Sequence, residues 1–184
     1  MNRRHWLHTL LATSLAGAAE HLPQKRSFLG VDRFQRLVAL ALAGNWRAQP
    51  IGQRVALFGQ AMLGTKYVGW TLEIDDHIES PSVNFLGLDC WTFFETALGL
   101  ARMIARSKAA YTPSDLLREI ETTRYRGGVC HGNYLDRIHY LDEWFTTTPH
   151  AAMCATSPPK SARSFACKVA PTTRCRSTRS STAT

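Results

Sequence analysis

One cysteine in the chain stands where a sequence can make a thiol reactive. At Gly87-Leu88-Asp89-Cys90 a loop gives way to a run, from Cys90 to about Arg106, with Phe94, Leu98, Ala101 and Ala105 along one helical face. Cys90 would then sit in the first turn. A helix N-terminus carries unsatisfied N–H groups and the positive end of the dipole, which stabilise a thiolate. The same N–H groups can hold an oxyanion as a carbonyl is attacked. Asp89, one residue earlier, fits the N-cap, where its carboxylate accepts hydrogen bonds from first-turn N–H groups. Buried cysteines also occur at helix starts, so position by itself defines Cys90 only as a candidate nucleophile.

A cysteine nucleophile needs a base within hydrogen-bond reach. His139 is the candidate, on a helix expected over Leu135 to Phe145, where it lies one turn from Leu135 and from Glu143. That position suits a packed or substrate-orienting side chain equally well. Cys130 and His131 share a Gly-rich loop without further ligands, and no cysteine pair has metal spacing such as C-x-x-C. No metal and no cofactor are expected.

The elements that must position these groups are mostly helical. Val31, Phe34, Leu37, Val38, Ala41 and Leu42 recur at helical spacing from Val31 to Ala43, and Gly44-Asn45 ends the run. Gln53 to Leu63 repeats the pattern with Val55, Phe58, Ala61 and Met62. From Thr65 to Phe85 the period is lost. Tyr67, Val68, Trp70, Leu72 and Ile74 suggest extended chain, and Asp75-Asp76 and Ser80-Pro81-Ser82 suggest loops. Thr112-Pro113-Ser114-Asp115 reads as a helix start, with Pro early and an acid in the first turn.

Charge divides the chain in two. The formal net charge is +8, yet all 14 acidic and 16 of the 22 basic residues precede residue 149, which leaves +2 on the body. Residues 149–184 hold twelve Ser or Thr, one aromatic and no acid. Such a basic stretch is expected to be solvated and without a packed core. It lacks the interleaved aromatics that stack bases, so nucleic acid is not an expected partner. At the other end, Arg3-Arg4, the apolar run from Trp6 to Ala19 and Ala16-Gly17-Ala18 have the layout of an export signal over residues 1–19, too short to span a bilayer. Export implies a periplasmic or secreted protein. The body, 20–148, reads as one domain.

The stretch Leu-Asp-Cys-Trp-Thr-Phe-Phe-Glu-Thr-Ala-Leu-Gly-Leu-Ala-Arg around Cys90 resembles the nucleophile motif of the N-acetylmuramoyl-L-alanine amidase-like family, a branch of the NlpC-type, papain-like cell-wall cysteine peptidases. Residues 64–73, Gly-Thr-Lys-Tyr-Val-Gly-Trp-Thr-Leu-Glu, and the later motifs beginning at Arg124 and at Gly132 match in the same order. The resemblance covers roughly residues 50–145. It implies an α+β fold, of which this chain holds the helical N-terminal part of a papain-like amidase with most of the β-barrel missing. It implies that Cys90 is the nucleophile, that Arg137 and Tyr140 shape the substrate cleft, and that peptidoglycan fragments or muramyl peptides are the partners. Trp91 departs from the small or β-branched residue usual there, and would narrow the pocket. The resemblance places the catalytic histidine beyond Phe145, where nothing in this chain matches it. A lost base after the Phe145 codon would account for the break, because the alternative frame permits Val-Arg-Asp-Ile-Thr-Ala-Glu-Ile-Gly over residues 153–162. The chain as written is then expected to be truncated or frameshifted and inactive, with apolar faces such as Phe94–Leu98–Ala101 exposed. A non-catalytic wall-binding or scaffold protein of the same fold is the alternative.

Overall fold

The computed structural model describes residues 22–147. The export signal read over 1–19 and the basic tail read over 149–184 lie outside the described residues. Six helices and two very short strands follow one another: α1 Gln24–Ser27, β1 Phe28–Leu29, α2 Val31–Ala43, α3 Ile51–Ala61, β2 Val83–Asn84, α4 Cys90–Met103, α5 Pro113–Arg124 and α6 Leu141–Thr147. The strands form a parallel pair, Phe28 opposite Val83 and Leu29 opposite Asn84. The architecture is a mixed, mainly helical one with a small parallel sheet.

Helix α2 lies where its apolar spacing places it and buries Phe34, Leu37, Val38 and Ala41. Gly30 precedes it at φ 83°, and a Cβ there would come within 2.8 Å of the Phe85 Cβ. Both the turn and the close approach of β2 therefore require glycine. Phe28, Phe34 and Phe85 fill the resulting corner with ring centroids 5.4–6.4 Å apart. Helix α3 begins and ends two residues earlier than Gln53–Leu63, because Pro50 sits at its N-cap and supplies a fixed φ at the helix entry.

Helix α4 is the centre of the fold and packs on both α3 and α5. Its Ala97, Leu100, Ala101 and Met103 are buried in the core with Leu116 and Ile120 of α5. At Gly99 an added Cβ would meet Leu116 Cδ1 at 3.0 Å and Ile120 Cδ1 at 3.1 Å, which is how closely the two helices approach. An ion pair lies between them without solvent. Arg124, at the end of α5, donates to Glu95 of α4 from Nη2 at 2.7 Å and from Nε at 3.2 Å. The same guanidinium reaches the Ser82 hydroxyl at 3.0 Å and its carbonyl at 2.9 Å. Burial works against the Arg124 charge, but the Glu95 carboxylate outweighs it and holds the guanidinium above its ordinary value. Two segments distant in sequence, the end of α5 and the loop at Ser82, are thereby tied to the helix that carries Cys90.

Three sequence expectations are corrected. The extended chain expected from Tyr67 to Ile74 is paired only around Lys66–Val68, where Val68 N–H donates to the Leu88 carbonyl at 3.1 Å and Leu88 N–H to Lys66 at 3.1 Å. Beyond it the backbone turns, with Trp70 at φ 62°. The helix expected over Leu135 to Phe145 is two pieces: a single 3-10 turn at Tyr134–Asp136, and then α6. Residues 137–140 are drawn out between them, since Ile138 N–H donates to the Arg124 carbonyl at 2.9 Å and Arg137 bridges Tyr125 in antiparallel fashion. Finally, Ala101 is fully buried and does not continue an exposed face from Phe94 and Leu98. That face turns instead onto Ala105.

Candidate active site

Cys90 is the first residue of α4 and is exposed. Its position is set by the cap that precedes it. Thr92 N–H donates to Asp89 Oδ1 at 2.8 Å, and the Asp89 backbone N–H donates in return to the Thr92 hydroxyl oxygen at 2.9 Å. This is the reciprocal arrangement of a capping box, here with threonine at the third helical position. Thr71, from the loop after Trp70, donates to Asp89 Oδ2 at 3.0 Å. Burial alone would raise the Asp89 carboxyl, but the Thr92 and Thr71 hydrogen bonds outweigh it and hold the group below the usual carboxylate range. Asp89 is thus ionised and committed to the cap, as its place in the sequence suggests. The Cys90 and Trp91 N–H groups, the first two of the helix, have no acceptor within it and take none from other described residues. They are the donors available to an oxyanion beside the thiol.

Two concavities flank this helix start, with Trp91 in the wall of both. The larger, about 1080 Å3, is an apolar groove between α3, α4 and α6. Cys90 opens onto it, together with Phe94, Leu98, Ile51, Leu141 and Phe145. Helix α6 is held in place by Trp144, whose Nε1 donates to the Thr123 carbonyl at 3.0 Å. Its ring meets Trp91 edge-on at 6.1 Å and Phe94 at 5.7 Å between centroids. Trp91 thus stands in the wall beside Cys90 and packs against a second tryptophan, from α6.

The smaller concavity, about 420 Å3, holds the other candidate residues: Arg137, His139 and Tyr140 line it with Trp91 and Asp89. Arg137 is 3% exposed. It donates from Nη2 to Glu73 at 2.8 Å, lies 3.6 Å from Glu79, and covers the Tyr134 ring at 4.8 Å. Burial works against its charge, but the two glutamates and the Tyr134 contact keep the guanidinium above its ordinary value. Tyr140 is 71% exposed at the rim. His139 is exposed, stacks on Tyr134 with centroids 4.5 Å apart, and has Nε2 3.2 Å from the Tyr134 carbonyl. It lines this pocket and not the groove that contains Cys90. Among the described residues no side chain hydrogen-bonds the Cys90 thiol, and no three His, Cys, Asp or Glu side chains gather as metal ligands. No helix of the described residues is long and apolar enough to cross a membrane.

Sequence reasoning passed over Trp70, Glu73 and Tyr134 in this pocket. Trp70 and Glu73 lie in the matched segment before the nucleophile, and Tyr134 in the segment after it. That ordering was a signal, but no spacing rule assigns them a role.

A polar cap, an exposed first-turn thiol and a lined cleft come together at the start of α4. The profile of the N-acetylmuramoyl-L-alanine amidase-like (AmiA-like) family matches residues 57–163, and the chain belongs to that family. The match runs past Phe145, where the sequence motifs end, and into residues beyond those described. Two solved structures are similar. One is an N-acetylmuramoyl-L-alanine amidase from Bacteroides uniformis, 28% identical with a TM-score of 0.46, covering 53% of this chain and 38% of its own. The other is a protein assigned provisionally as a xylanase from Bacteroides fragilis, 31% identical with a TM-score of 0.45, covering 55% of this chain and 44% of its own. The chain thus spans less than half the length of either. Among curated proteins none matches.

Proposed function

We propose that the protein is a cell-wall amidase of the NlpC-type, papain-like class, which cleaves the amide between N-acetylmuramic acid and L-alanine with Cys90 as nucleophile. The observation that carries the reading is the exposed Cys90 thiol at the start of α4, beside two N–H groups that the Asp89 cap leaves free. Membership of the amidase-like family supports the substrate class. In the reaction the Cys90 sulfur bonds to the lactyl carbonyl carbon, and the Cys90 and Trp91 N–H groups receive the charge on its oxygen. The C–N bond breaks, and the amine of L-alanine leaves with a proton from the base. Water then hydrolyses the thioester and restores the thiol.

His139 lines the neighbouring pocket with Nε2 beside a carbonyl, so the base is assigned to residues outside those described. In this reading the chain as written is inactive, and restoring one base after the Phe145 codon returns the missing part. In the same reading, the signal-like layout of residues 1–19 directs the protein to the periplasm or outside the cell.

The test is an assay on an N-acetylmuramoyl-L-alanyl peptide, with mass spectrometry for the freed peptide amine. Activity is expected from the frame-restored gene and not from the chain as written, and Cys90→Ala should abolish it. Persisting turnover in Cys90→Ala would refute the nucleophile. The wall-binding alternative predicts binding to peptidoglycan fragments with no turnover in either form. It draws on the absence of a base next to Cys90 among the described residues.

A further inference from the structure

Trp70 is the most conspicuous side chain that the catalytic reading leaves unused. It is 88% exposed, so its ring buries almost nothing against the described residues. Its backbone is at φ 62°, in the left-handed region where bulky residues are outliers and glycine is at ease. A large ring held in that conformation for no gain in the core points to a role outside the fold's own stability. The turn that holds it is well anchored, since the next residue, Thr71, is bonded to Asp89 and to the Thr92 hydroxyl at 2.8 Å.

The pocket below the ring is chemically mixed. Trp70, Trp91 and Tyr140 supply aromatic faces at its rim and wall, and Glu73, Arg137 and His139 supply polar groups. A pyranose ring has matching requirements: an apolar C–H face to lie on an aromatic ring, and an edge of hydroxyl and acetamido groups to hydrogen-bond. Both glutamates beside Arg137 already offset its charge, which makes the pocket a poor counterpart for a strongly anionic group.

We infer that this pocket receives the sugar of the muramoyl substrate, with Trp70 as the platform on which its ring stacks. The inference rests on the muramyl-amidase reading above and assigns the glycan side of the substrate to this flank of Trp91. The peptide then extends from Cys90 along the apolar groove.

The experiment compares two probes by calorimetric titration on the chain as written and on its frame-restored form, each in a Cys90→Ser background so that no turnover intervenes. The probes are N-acetylmuramoyl-L-alanyl-D-isoglutamine and the same dipeptide without sugar. Trp70→Gly removes the ring and relieves the backbone, so its melting temperature should equal or exceed the parent's. It should weaken the sugar-bearing probe about 5- to 10-fold, the scale of one aromatic stacking contact, and leave the dipeptide unchanged. Trp70→Tyr should recover most of the loss. Equal effects on both probes, or none on either, would overturn the role of Trp70 while the amidase reading stands. A parent that binds neither probe in either form would instead overturn the substrate class itself.

Discussion

Replacing Arg124 by Met should destabilise the protein sharply, because it leaves the buried Glu95 without the cation that hydrogen-bonds it. Glu95 is 0% exposed and Arg124 2% exposed, and among the described residues Arg124 is the cation that hydrogen-bonds the Glu95 carboxylate. Breaking a buried pair from one side costs about 3–5 kcal/mol. With a urea dependence of roughly 1–3 kcal/mol per molar for a small domain, the midpoint should fall by roughly 2 M. Arg124→Met also frees the Ser82 hydroxyl and carbonyl, which adds to the loss. Glu95→Leu combined with Arg124→Met removes both charges and should recover most of the stability. The single and double variants together form a cycle with a coupling of about 2 kcal/mol or more. The pH dependence follows from the sign of the effect. In Arg124→Met the unpaired, buried Glu95 titrates above its unfolded value, so the folded state binds more protons and the deficit should shrink as pH falls. Urea titrations followed by circular dichroism at two pH values would read all of this. A midpoint for Arg124→Met within about 0.5 M of the parent's, with no coupling in the cycle, would refute the claim that this pair ties α4 to α5.

Asp89→Ala should cost about 1 kcal/mol through loss of the helix cap, and Asp89→Asn much less, as read by thermal melts. Because the Asp89 carboxyl is held below its ordinary value, the stability it adds is present above about pH 4 and lost as pH falls further, so parent and Asp89→Ala should converge in acid. Gly99→Val should cost about 1–3 kcal/mol, since its Cβ alone meets Leu116 and Ile120 at 3.0–3.1 Å; a parent-like urea midpoint would contradict the close α4–α5 contact. In the native protein maleimide should modify Cys90 well before Cys130, which is 2% exposed and whose thiol is pushed up by burial. Peptide mass spectrometry resolves the two, and equal rates would mean that the Gly-rich loop around Cys130 opens freely.

Much of the local structure was legible in the sequence, because it is set by neighbours within a turn or two. Apolar spacing located α2, and Thr112-Pro113 located the start of α5. Asp89 before Cys90 marked the cap and put Cys90 in the first turn, since capping involves only residues within three positions, whereas the exposure of the thiol came from the fold. What periodicity could not supply are contacts between distant segments. Leu135 to Phe145 carries a helical pattern, yet pairing of Arg137 and Ile138 with Tyr125 and Arg124 pulls four residues straight and moves His139 off any helix. The sharing of Trp91 between two concavities, the match of Trp91 with Trp144, and the meeting of Trp70, Glu73 and Arg137 in one pocket were likewise decided by tertiary packing. A side chain's spacing fixes the face it occupies on its own element. Only the fold determines which distant face it meets.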